Sequence, residues 1–133
     1  MTIEEALYEK LMDCDALVAL VKRQIYRGFR SQGQGLPCIT FLRVSTTPSN
    51  GATGTTGTEH VLIQVDCWAR RSSEARNIAE EVKTTLNGWS RTTAPVIGAA
   101  ILSDEQDIIE PPDDGGQLAE YRIIQTWSIW QQT

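Results

Sequence analysis

Four carboxylates are the residues most able to do chemistry: Asp66 within an alternating apolar stretch, and the cluster Asp104, Glu105 and Asp107. Converging within a few ångströms, they could hold the cations of a metal-dependent nuclease, which activate water and stabilise the leaving oxygen. No strand Glu-x-Lys pair accompanies Asp66, however. Asp104 and its neighbours read instead as the solvated end of a strand, because such charges are almost never buried unpaired. The sole histidine, His60, would need a carboxylate or thiol within reach. Asp66 shares its strand face but lies six residues away, roughly 20 Å along extended chain. His60 therefore reads as a solvated strand residue. Cys14, Cys38 and Cys67 are odd in number and lack a C-x-x-C spacing, which fits reduced thiols better than a disulfide framework or a zinc site. The glycines lack the strand-to-helix context of a phosphate cradle, and no cofactor is expected. Arg70 and Arg71 with Arg76, and Arg27 with Arg30, form small basic patches. These are solvated surface or, more sharply, partners for Asp104, Glu105 or Asp113 of a neighbouring subunit.

The elements that would position these groups are clearest between Glu59 and Gly88. Val61, Ile63, Val65, Cys67 and Ala69 recur at period two, the mark of a strand face packed on a core. His60, Gln64 and Asp66 lie across from them, with Leu62 and Trp68 interrupting that polar face. After Arg71 the period becomes 3.6, with Ala75, Ile78, Ala79, Val82 and Leu86 on one helical stripe. Ser72 or Ser73 can cap this helix, and Asn87-Gly88 can end it in a left-handed turn. Upstream, Thr2 and Glu5 form a capping box before the stripe Ile3, Ala6, Leu7, Leu11. Asp15 can cap a further turn or two whose apolar density predicts burial on more than one side. Ile25-Tyr26 is a short extended piece, and Pro37 opens a strand from Cys38 to Ser45.

Residues 46–58 hold six threonines, three glycines and one proline without a large apolar side chain, which predicts a mobile loop between two antiparallel strands. Val96 to Ser103 reads as a further strand. The acidic segment after it reads as a solvated turn region, and Leu118 to Gln131 as the last strand. On that strand Tyr121, Ile123, Gln125, Trp127 and Ile129 share one face. Ile124 and Trp130 lie on the other. The expected fold is a single α+β domain over 1–133: two layers, a mainly antiparallel four-stranded sheet with helices on one face, in the order α-β-β-α-β-β.

The strand Glu59 to Arg70 would extend roughly 40 Å at about 3.3 Å per residue, whereas a compact chain of this length is roughly 36 Å across. Such strands cross the whole domain or project beyond it, exposing edges that proteins cover or pair. Trp68 and Trp130 add aromatic area to the outer faces, as at docking surfaces. With Ile124 they form the expected subunit contact, joined by Arg70, Arg71, Asp104 and Glu105. A net charge of −5 argues against adhesive nucleic-acid binding but suits a wall past which DNA slides. No signal pattern or membrane-length apolar run is present, so the chain is expected to be soluble and intracellular, with no membrane partner.

Four stretches in order resemble the small tail-completion proteins of long-tailed DNA phages and prophages, also called tail terminators or tail-to-head joining proteins. These are IEEALYEKL; Ile25-Tyr26 followed by a Gly/Gln segment and Leu36-Pro37 entering a strand; IQVDCWARRSSEARNIAEEVKTTLNG; and the acidic turn into EYRIIQTWSIW. Gln24, where an Arg or Lys would be usual, departs from the pattern. The third stretch carries the likeness best. The resemblance implies a non-enzymatic homo-oligomeric ring, typically a hexamer, assembled in the host cytoplasm and carried in the virion tail. Its partners would be the tail tube protein and the head-neck connector, with DNA only as passing cargo. Two other classes compete: the metal-dependent nuclease of Asp66, Asp104, Glu105 and Asp107, and a small-molecule-binding dimer, for which the sequence shows no converging polar groups.

Overall fold

The computed structural model describes residues 1–29, 35–51, 54–110 and 120–132. The elements run α1 (Ile3–Met12), α2 (Asp15–Val21), β1 (Ile25–Arg27), β2 (Cys38–Gly51), β3 (Gly54–Ala69), α3 (Ser72–Leu86), β4 (Val96–Glu110) and β5 (Glu120–Gln132). The α+β class and the antiparallel hairpins are as expected, but the sheet has five strands, ordered β1-β2-β3-β5-β4. The extra strand is the Ile25-Tyr26 piece, which pairs in parallel with β2 from Ile25↔Ile39 to Arg27↔Phe41. Its partner lies 14 residues downstream, a non-local pairing that no local pattern announces.

Helices cover one sheet face. Val61, Ile63, Val65, Cys67 and Ala69 are each fully buried there, against Ala75, Ile78, Ala79, Val82 and Leu86 of α3. Ile3, Leu7 and Leu11 of α1 complete the core over β1 and β2. The Thr2 hydroxyl accepts from the Glu5 amide at 3.2 Å. In return it donates to the Glu5 carboxylate at 3.3 Å, so the box closes on the hydroxyl. α2 buries only Leu17 and Val21 and exposes Ala16 and Ala19, contrary to burial on several sides. Arg71, without a side-chain cap bond, precedes α3, so neither Ser72 nor Ser73 caps it. Gly88, at φ +77°, supplies the left-handed turn after it.

Two segments depart from expectation, and their described residues are strand. Of the predicted mobile loop 46–58, residues 46–51 and 54–58 continue the β2–β3 hairpin, paired to Gly51↔Gly54, and residues 52–53 lie outside the described residues. Threonine is β-branched and favours extended backbone, so a ladder needs no large apolar side chain to run on. The first part of the acidic segment extends β4 to Glu110, paired with Glu120, and the turn expected over residues 111–117 lies outside the described residues. β4 lies at the sheet edge, where the exposed carboxylates of Asp104 and Asp107 discourage unwanted pairing. At roughly 3.3 Å per residue, the 16 residues of β3 span roughly 50 Å. β5 ends opposite Thr58. The β2–β3 ribbon therefore runs on past the last strand beside it.

Candidate assembly interface

The face of the sheet turned away from the helices has no covering layer among the described residues. Alternation assigns to it His60, Leu62, Gln64, Asp66 and Trp68 of β3, and Arg122, Ile124, Thr126, Ser128 and Trp130 of β5. It thus brings together Trp68, Ile124 and Trp130, the three apolar residues predicted for a contact.

A polar lattice fixes the centre of this face. Arg122 donates to the Asp66 carboxylate at 2.7 Å, and Gln64 Nε2 lies 3.1 and 3.2 Å from its two oxygens. The guanidinium carbon of Arg122 sits 4.7 Å from the Trp68 ring centroid. Trp68 Nε1 in turn donates to Thr40 at 3.1 Å. With Asp66 only 4% exposed, this pair is shielded from water and costly to break from one side. A recess of about 370 Å³ opens beside it, walled by Phe29, Leu42, Trp68 and Arg122. Toward the other end Trp130, 43% exposed, stacks on His60 with ring centroids 4.6 Å apart. His60 also hydrogen-bonds Ser128. The histidine expected to be solvated is instead a platform holding Trp130.

The acidic residues do not converge. Asp66 lies on the bare face, and Glu105 on the helix face opposite Gln125. Arg76 donates to Glu105 at 2.6 Å and to Asp107 at 2.7 Å, while Lys83 reaches Glu105 at 3.2 Å. Among the described residues no three His, Cys, Asp or Glu side chains are placed to hold a metal ion. The nuclease arrangement of Asp66, Asp104, Glu105 and Asp107 is therefore corrected. Asp66 and Asp104 share the bare face without converging, and the sheet separates Asp66 from Glu105, which Arg76 and Lys83 hold, while Arg76 holds Asp107.

Burial alone would raise the Glu105 carboxyl, but hydrogen bonds from Arg76, Gln125 and Lys83 outweigh it and hold the group below the ordinary carboxylate value. The same contest, won by Arg43, lowers Glu4. Burial drives the Cys67 thiol strongly upward, with the Asp66 charge adding to it, so it stays protonated and inert as a packing group.

Of the remaining predicted contact residues, Asp104 is exposed on β4, and Arg71 is exposed between β3 and α3. Arg70 follows β3, its guanidinium 3.8 Å from Glu120. Asp113 and Arg30 lie outside the described residues. Sequence reasoning missed two buried polar ties. Glu4 receives Arg43 Nε at 2.6 Å and a second guanidinium nitrogen at 3.1 Å, fastening α1 to β2. Gln125, fully buried, donates to the Ala79 carbonyl and to Glu105, and accepts from Trp127 Nε1, each at 3.0 Å. A Gln midway along an otherwise apolar face was the available signal for the second.

A rigid two-layer platform with one bare, partly aromatic sheet face, long strands and scattered, cation-paired carboxylates belongs to the class of structural assembly parts. The family model Tail completion protein gp17 matches residues 5–130, and the chain belongs to that family. It is a structural component of the virion and not an enzyme. Among solved structures, a chain titled "Virion of native gene transfer agent (GTA) particle" aligns with a TM-score of 0.70 at 15% identity. The match covers 96% of this chain and 92% of that one, and shows a shared fold. No curated protein matches the chain.

Proposed function

We propose that this protein caps the finished tail tube as a ring of identical copies, six by family resemblance, and joins the tube to the head-neck connector. The observation carrying this reading is the uncovered sheet face. One layer of helices serves one side of a five-stranded sheet and leaves Trp130, Trp68, Leu62 and Ile124 on the other. Trp130 is exposed there and the other three are half-buried, and aromatic side chains are enriched where partners dock. The interface set Trp68, Trp130, Ile124, Arg70, Arg71 and Asp104 belongs to this proposal. Glu105 contributes indirectly, by holding α3 against β4.

Ring closure requires that each subunit present two different surfaces. The net charge of −5 suits a passage that DNA traverses without sticking, since counterion release needs clustered cations. Electron microscopy of the purified protein with isolated tail tubes tests the proposal. Closed rings seated on tube ends are expected, and tubes left bare at saturating protein would overturn it.

A further inference from the structure

Most of the exposed large apolar side chains sit at the two lateral edges of the sheet. Phe29 (83% exposed), Val44 (53%) and Leu42 (36%) lie on the β1–β2 side, and Ile101 (56%), Ile109 (61%) and Trp130 (43%) on the β4–β5 side. The other two, Met1 and Tyr8, belong to the α1 end of the molecule. β1 and β4 are the terminal strands, and residues 88–91 pair with the outer side of β4 over residues 97–100. Bulges after Arg43 and after Leu102 interrupt the regular edges, and the first turns Val44 off the regular alternation.

The edges also differ in charge. Lys22, Arg23 and Arg27 are exposed beside β1 and form no ion pair among the described residues. Glu4, Glu5 and Glu9 of α1 lie near Arg27 and offset it, so the excess positive charge rests on Lys22 and Arg23. Both of these residues are held at positive φ, 54° and 63°. β4 carries Asp104, Glu105 and Asp107 within four residues. Arg76 and Lys83 answer the last two, which leaves Asp104 without a cation among the described residues.

We infer that the subunit joint is lateral and head-to-tail: the β4–β5 edge of one copy docks on the β1–β2 edge of the next. Ile101 and Trp130 pack against Phe29, Leu42 and the recess beside Trp68, and Asp104 faces Lys22 and Arg23. The occupant is a second copy of this chain because the two edges are complementary in both charge and apolar content, and neither is complementary to itself. The inference rests on the ring reading and deepens it, since it assigns the two distinct surfaces that a closed ring requires.

Two single-edge variants test it, Phe29→Asp and Ile101→Asp, with native mass spectrometry as the readout and circular dichroism to verify folding. If Phe29→Asp does not fold, Val44→Asp blocks the same edge. Wild type is expected as a ring, and each variant alone as the 14.8 kDa monomer. An equimolar mixture should give a species of twice that mass and nothing larger, because the two intact edges meet once and the blocked edges end the chain. A ring formed by either variant alone, a dimer of either alone, or a mixture that stays monomeric would overturn the lateral joint while leaving the ring intact. Wild type that is monomeric up to millimolar concentration would overturn the ring reading and this joint with it.

Discussion

The two faces of β3 differ as much as any two regions of the molecule. Val61, Ile63, Val65, Cys67 and Ala69 point into the helix layer and are fully buried. Their immediate neighbours His60, Leu62, Gln64 and Trp68 point to the bare side and keep contact with water. One strand therefore carries two independent patterns offset by a single residue. The inward set stabilises the domain by burial, and the outward set leaves the domain little changed and is available to other copies. A period-two sequence can thus be selected for fold and for assembly separately, and substitutions on the two faces should differ in kind.

The contrast is sharpest for two tryptophans of β5. Trp127, fully buried on the helix face, should lose about 3–5 kcal/mol of stability on truncation to Ala, read from denaturant midpoints. The next largest effect is expected at Gln125. Gln125→Ala removes the acceptor of Trp127 Nε1, and one buried unsatisfied donor costs about 1–3 kcal/mol. If Gln125→Ala proved neutral, the helix side would be an apolar core indifferent to its polar ties.

Acid should weaken the same side. Glu105 and Glu4 titrate below their ordinary value of 4.5 when folded, so the unfolded chain binds more protons as pH falls. Their contribution is present above about pH 4.5 and is lost as pH drops through the folded values. Denaturation followed from pH 7 to pH 3 should show this decline, and Glu105→Gln should reduce it. A flat profile would mean that Arg76, Lys83 and Arg43 hold nothing. The smallest effect on stability belongs to the bare face. Trp130→Asp should change unfolding by no more than about 0.5 kcal/mol, as at most surface positions, while light scattering reports a fall from ring to monomer. An unchanged oligomer would remove Trp130 from the contact, and a large loss of stability would erase the contrast between the faces.

Much of this division was legible in the chain. The stripes of α1, β3 and α3 and the inward face of β5 were readable because burial imposes a strict period on apolar residues. The missed parts lack that constraint. β1 is three residues long and held by a parallel partner far away in sequence. The tip of the β2–β3 ribbon and the outer half of β4 have little core beneath them. Backbone pairing alone makes them strands, and their threonines and carboxylates resemble loop composition. The outward face was legible only as aromatics out of pattern, Trp68 and Trp130. The lattice of Asp66 with Arg122 and the platform of His60 under Trp130 depend on cross-strand register. That register is set by turns and bulges whose positions no apolar pattern marks.

Sedimentation velocity of the wild-type protein over a wide concentration range tests the central claim most directly. A sheet left bare on one face to receive its own copies predicts a ring-sized species, a fixed multiple of 14.8 kDa, that gives way to monomer on dilution. A single 14.8 kDa species at every concentration would contradict it.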